Sequence, residues 1–243
     1  MVGDEYLELA DWRRQVASLF GAWRSASARE PGAATLAFRA AKERLFAEHP
    51  QSPLRADERA AGRGLDHWPY DPTYRMTLRL EPVDGLVGPH DEEGVGQPGA
   101  SQPGASQPGA SQPGGSSRTP LALPSSGPGA LRFRRVGRVR LEGPLAGRDL
   151  TVFWIDAYGG GLFLPFRDAT SGQETYGAGR YLLDTIKGAD HGGDMTASTL
   201  VLDLNMAYHP SCAYDPRWSC PLAPPENILD LAVPAGERLL NSG

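Results

Sequence analysis

Four consecutive five-residue units occupy the middle of this chain: Gln97-Pro98-Gly99-Ala100-Ser101, two further copies, and a closing Gln112-Pro113-Gly114-Gly115-Ser116. A segment this polar cannot bury enough surface to offset the entropy lost on ordering. Five residues are too few for a solenoid unit, and glycine does not recur at every third position as a collagen helix requires. Between Pro82 and Ala130 there are 11 Gly and 9 Pro in 49 residues, so the stretch from Val83 to about Arg118 is expected to be a disordered insert. The fold must be built from what flanks it. That divides the chain into an N-terminal amphipathic helix over 1–34, a helix and first strand of the main domain over 35–82, the insert over 83–118, and a β-rich remainder over 119–243.

The helical signal is confined to the first quarter. Leu9, Trp12, Val16, Leu19 and Trp23 recur at spacings of three and four, which places them on one helix face. Proline disfavours helix in the residue before it, so this element ends between Ala28 and Pro31. A second helix is expected from Thr35, as an N-cap, to His49-Pro50, with Phe38, Ala41, Leu45 and Phe46 inward. A short third one fits Ala56 to Ala61.

Strand patterns follow. Tyr74, Met76, Leu78 and Leu80 alternate with polar neighbours at the two-residue period of a half-buried strand. Leu131 to Leu141 continues the pattern, and Leu150 to Ile155 is apolar enough for burial on both faces. Leu162–Phe166 and Tyr176–Ile186 read as a long-looped hairpin, with further strands at Thr199–Tyr208 and Ile228–Val233. Strands joined by turns, with no helices between them, predict an α+β fold: N-terminal helices packed on a mainly antiparallel β-barrel or β-sandwich.

Composition narrows the function. Twenty-nine acidic against 24 basic residues leave a net charge of −5, opposite to the excess that phosphate neutralisation demands, so no nucleic-acid partner is expected. No apolar run approaches the roughly 18 residues of a membrane span, and the acidic start lacks the layout of a secretory signal. The expected setting is cytoplasmic. The two cysteines, Cys212 and Cys220, then read as buried thiols; a disulfide, a nucleophilic cysteine and a zinc site with His209 are the alternatives weighed. Arginine outnumbers lysine by 22 to 2, an imbalance attributed to base composition.

Two stretches place polar groups where plain packing does not need them. In Tyr176-Gly177-Ala178-Gly179-Arg180-Tyr181-Leu182 the guanidinium of Arg180 shares a face with apolar residues, where it requires a negative partner. Asp168, Glu174 and Asp203 are candidates for an internal pair; an anionic ligand is the functional alternative. In Thr199–Tyr208, Asp203 and Asn205 face the same way as His209, as the wall of a polar pocket or as an exposed edge. No dinucleotide fingerprint, phosphate loop or nucleophile elbow occurs.

Several segments resemble the bacterial domain-of-unknown-function family 1684. They are His49-Pro50-Gln51-Ser52-Pro53-Leu54, Leu162 to Asp168, Thr175 to Leu182, Ala207 to Tyr214, Cys220 to Asn227, and Ala235-Gly236-Glu237. The resemblance runs from about Leu36 to Glu237, apart from the insert, and implies no particular activity. Relatives often carry Asn-Pro in place of His209-Pro210, which argues against a role needing an imidazole there.

The reading that results is a β-rich protein binding a small anionic molecule in a polar pocket. Arg180 supplies charge, Thr175 and Tyr176 hydrogen bonds, Asp203 and Asn205 the opposite wall, with Asp168 and Glu226 as further candidates. No metal ligand set, cofactor or oligomeric state is assigned. The alternatives are a structural or partner-binding protein, whose polar residues tie the fold together, and a metal-binding hydrolase.

Overall fold

A computed structural model of the chain describes residues 2–83, 121–127 and 131–240. The five-residue repeats lie outside the described residues. Helix α1 spans Val2–Ser27, with Asp4 and Glu5 in its first turn and Arg24 in its last, as the helix dipole favours. Helix α2 spans Pro31–Glu48 and begins earlier than the expected Thr35. Proline fits the first helical turn, because its missing N–H would have no partner there. Thr35 is instead buried, and its hydroxyl accepts a hydrogen bond from Trp23 Nε1 at 3.1 Å, tying α2 to α1. A short α3 follows at Ala56–Ala60.

The strands are β1 (Asp66–His67), β2 (Arg75–Arg79), β3 (Leu121–Leu123), β4 (Leu131–Arg140), β5 (Asp149–Ile155), β6 (Gly161–Phe166), β7 (Arg180–Asp184), β8 (Gly193–Asp194), β9 (Thr199–Asp203) and β10 (Glu237–Arg238). They form three antiparallel sheets, ordered β3-β4-β5-β6-β7, β2-β9-β8 and β1-β10. Besides the core that they share, the two larger sheets are linked through isolated bridges beside their strands, Glu81 with Arg138 and Tyr181 with Tyr208. Among the described residues, then, there is mixed helix and sheet but no closed barrel.

Strand β5 has both faces buried, as expected, and serves two cores. Leu150 and Val152 join Met76, Leu78, Val139, Leu164, Leu182 and Leu202 between the two larger sheets. Phe153 and Ile155 join Phe133, Phe163 and Tyr181 on the opposite face, with Cys212 and Cys220. Strand β4 contributes to both because its register jumps from Arg135↔Phe153 to Gly137↔Val152, leaving Val136 as an extra residue. Gly137 is required here: a Cβ would stand 2.6 Å from Leu80 Cδ1 and 2.8 Å from the Glu81 carbonyl.

Three expected strands are shorter or absent. Chain pairing after the Asp168 loop starts only at Arg180, because Gly179 has φ +99°, and a Cβ on it would meet the Phe166 carbonyl at 2.3 Å. Tyr176 therefore does not share a strand face with Arg180. Strand β9 stops at Asp203, whose carboxylate accepts from Asn205 N at 3.0 Å and winds Leu204–Met206 into a 3-10 turn. Ile228–Val233 is not a strand; it makes one parallel bridge, Arg167 to Ile228. The buried Asn227 amide takes the place of a ladder, accepting from Thr151 N at 2.8 Å and donating to the carbonyls of Thr151 and Pro165 at 2.9 and 2.7 Å. Among the described residues no helix is long and apolar enough to cross a membrane.

Candidate functional site

Arg180 opens β7 with 1% of its surface exposed, and it has the negative partner its burial demands. Nη2 donates to Asp168 Oδ2 and, at 2.9 Å, to the Val233 carbonyl; Nη1 donates to the carbonyls of Ala235 and Glu237. Its face stacks between the rings of Phe166 and Trp68, at 5.1 and 5.2 Å. Burial lowers the guanidinium pKa, and Asp168 pulls it back. The other Asp168 oxygen accepts from Thr170 N and Oγ1, and Thr170 Oγ1 lies 3.0 Å from Thr175 Oγ1. The cluster thus grips the C-terminal segment and closes the 168–175 loop. Tyr176 stands beside it, its N–H donating to His209 Nε2 at 3.3 Å.

Asp203 and Asn205 form a second, separate knot. Asp203 Oδ2 accepts from Arg75 Nη1 at 3.0 Å, and Oδ1 accepts from both the backbone N–H and the Nδ2 of Asn205. Burial pushes this carboxyl upward in pKa, opposed by Asn205 and Arg75. The Asn205 amide also pairs with both backbone groups of Asp71, at 2.9 and 2.8 Å. Glu226 is on the outside, paired with Arg135 at 2.9–3.1 Å. The seven residues singled out in the sequence therefore fall in three places, and none of them lines the partly enclosed apolar cavity that the structure forms elsewhere.

That cavity, about 310 Å³, lies under the N-terminal helices. Trp12, Val16 and Phe20 of α1 and Phe38, Leu45 and Phe46 of α2 supply much of its apolar wall. Tyr208, His209, Ser211 and the Trp218–Cys220 turn close the far side. Arg13, Lys187 and Ser219 are the exposed members of the lining and mark its rim. The ionisable side chains with formal charge are Arg13, Lys42 and Lys187; no carboxylate lines it. Trp218 Nε1 is buried with no hydrogen-bond partner among the described residues. A wider groove of about 830 Å³ along the outside of α1 and α2 carries mixed charge, from Glu8 and Asp11 to Arg14 and Arg44.

Lys42 connects the cavity to a buried knot around Glu237. Its ammonium pairs with Glu237 Oε1 and lies 5.0 and 4.9 Å from the centroids of the Phe46 and Tyr208 rings. Glu237 Oε2 accepts from His209 N and from the Tyr214 hydroxyl, each at 2.7 Å. Burial alone would raise the Glu237 pKa, but Lys42, His67 and His209 outweigh it and hold the carboxyl at about 2. Burial drives His67 and His209 down to about 4, so both imidazoles are neutral at pH 7 and Lys42 is the partner that matters there. The knot joins α2, β10 and the 3-10 turn at Ser211–Ala213.

Lys42, Lys187, Trp218 and Glu237 did not stand out in the sequence, and His209 was set aside there. One signal was available: the chain has only two lysines, and both line this cavity. Cys212 and Cys220 are buried free thiols. Among the described residues, no group of three or more His, Cys, Asp or Glu side chains is placed to hold a metal ion.

A solution NMR structure of an uncharacterised protein, from gene locus rrnAC0354 of Haloarcula marismortui, is similar to this chain at 29% sequence identity and a TM-score of 0.51. The match covers 86% of this chain and 94% of that one. A search of curated proteins found no match. The family model described as "Protein of unknown function (DUF1684)" matches residues 114–238, just over half of the length, and to that family this chain belongs.

Proposed function

We propose that the protein binds a small anionic molecule, and that it does so in the cavity beneath α1 and α2. One observation carries this reading: in a chain of net charge −5, the cavity lining contains Arg13, Lys42 and Lys187 and no acid, and while Lys42 pairs with Glu237 and Lys187 with Asp184, Arg13 makes no ion pair among the described residues. A concave site lined by one sign of charge, with low-dielectric walls, concentrates the opposite ion. The volume lies at the lower end of the roughly 300–1,000 Å³ usual for small-molecule sites.

In this reading Arg180, Asp168, Thr175, Asp203 and Asn205 are internal ties rather than ligand contacts, since their polar groups bond the chain itself. Tyr176 contributes its backbone to His209, a cavity residue, and Glu226 anchors an outer loop. The cytoplasmic setting expected from the sequence belongs to the same proposal and accords with two free thiols. The test is a thermal-shift panel of small organic acids, each beside its uncharged amide, on the full chain and on Val16→Trp, which fills the cavity. Acids present at a hundred times their dissociation constant add about 2.7 kcal/mol and raise Tm. The amides leave Tm unchanged, and the variant loses the response. Shifts that persist in Val16→Trp, or a panel without any shift, would sink the idea.

A further inference from the structure

The interior cation of the cavity is not available to a ligand, and this decides which way an occupant lies. Lys42 is already paired with Glu237 and sits against the Phe46 and Tyr208 rings. An anion brought to it would meet the Glu237 carboxylate nearby, with little water to screen the repulsion. The rim cations differ. Arg13 is exposed and makes no ion pair among the described residues, while Lys187 is 53% exposed and pairs only with Asp184, at 3.5 Å. Between rim and floor the wall is aromatic and aliphatic.

We infer that the occupant is an amphiphilic carboxylate bound head-out, its charge held at the rim by Arg13 and Lys187 and its apolar body packed inward against Val16, Phe20, Phe38 and Phe46. This rests on the proposal that the cavity takes an anion, and narrows it to a chemical class. Allowing about 30 Å³ for each water-sized atom, as in liquid water, the 310 Å³ accommodate on the order of ten non-hydrogen atoms. A medium-chain alkanoate and a two-ring aromatic acid share that chemistry.

Calorimetric titration of the full chain with acetate, hexanoate, octanoate, decanoate and dodecanoate, decanol, decylamine and naphthalene-2-carboxylate tests it. Affinity is expected to rise about fourfold per methylene, the equivalent of about 0.8 kcal/mol each, and to level off near ten carbons. Decanoate binds at least tenfold tighter than decanol or decylamine. In the double variant Arg13→Ala, Lys187→Gln, whose amide can still donate to the buried Asp184 carboxylate, decanoate falls to the level of decanol and decanol is unaffected. Naphthoate binding tighter than decanoate supports the class and assigns the aromatic source. If chain length has no effect and naphthoate binds no better than acetate, the inference falls while anion binding stands. It falls likewise if the carboxylate preference survives in the double variant. A chain that binds no carboxylate at all removes the underlying proposal as well.

Discussion

Arg180 illustrates what a single side chain can reveal and what it cannot. An apolar neighbourhood around a guanidinium requires a carboxylate, and Asp168 was among the three candidates on that ground alone; the structure pairs them. The rest of its bonding was not legible, because the acceptors are backbone carbonyls of residues 233–237, which carry no side-chain signal. Removing the guanidinium strands a buried carboxylate and takes a donor from the carbonyls of Val233, Ala235 and Glu237, of which Val233 still accepts from Ala235 N at 2.8 Å. Arg180→Ala is expected to destabilise the fold by about 3–5 kcal/mol, as for one half of a buried pair. Urea denaturation measures this, and a loss below about 1 kcal/mol would contradict the role of Arg180 as an internal tie. The lysines teach the converse: their scarcity was visible, but their placement depends on contacts between residues more than a hundred positions apart.

At the scale of elements, the helices and the hairpin from β6 to β7 were readable because apolar spacing and proline set them locally. The overestimated strands share one cause. Side-chain amides and carboxylates at Asn227 and Asp203 compete for backbone groups that a ladder would otherwise use, and apolar alternation does not register that competition. The placement of α1 over the cavity depends on another local device. Gly188, at φ +88°, lies between the two rim-and-wall residues Lys187 and Ala189, and a Cβ there would stand 2.8 Å from Ala17 Cα. Gly188→Ala is therefore expected to push α1 outward and to destabilise by about 1–3 kcal/mol through strain and overpacking. Hydrogen exchange should quicken selectively in residues 12–23; unchanged protection there would show that α1 is held by other means.

For the molecule as a whole, the buried ionisable groups set the response to acid. Glu237 is held at about 2, against 4.5 for an ordinary glutamate, and His67, His209 and His191 at about 4, 4 and 3, against 6.5. Each value lies below that of the unfolded chain, so between the two the unfolded state binds more protons and stability rises with pH. The contribution is complete above about pH 6.5. It is withdrawn by the imidazoles as pH falls toward 4 and 3, and by the carboxyl from about 4.5 to 2, on the order of several kcal/mol in all. Thermal unfolding followed by circular dichroism should show Tm declining steadily below pH 6. A Tm higher at pH 5 than at pH 7 would reverse the assigned direction.

The extra residue in β4 has a further consequence for how this chain tolerates change in length. Because Val136 sits outside the register, Phe133 and Val139, both odd-numbered, feed opposite cores. Deleting that one position would leave a regular ladder in which Phe133 still stands opposite Ile155 and Val139 opposite Leu150, so each keeps its own core. A loss of one codon there is thus the change in length that β4 accommodates, whereas an added residue would displace one half of the strand from its core.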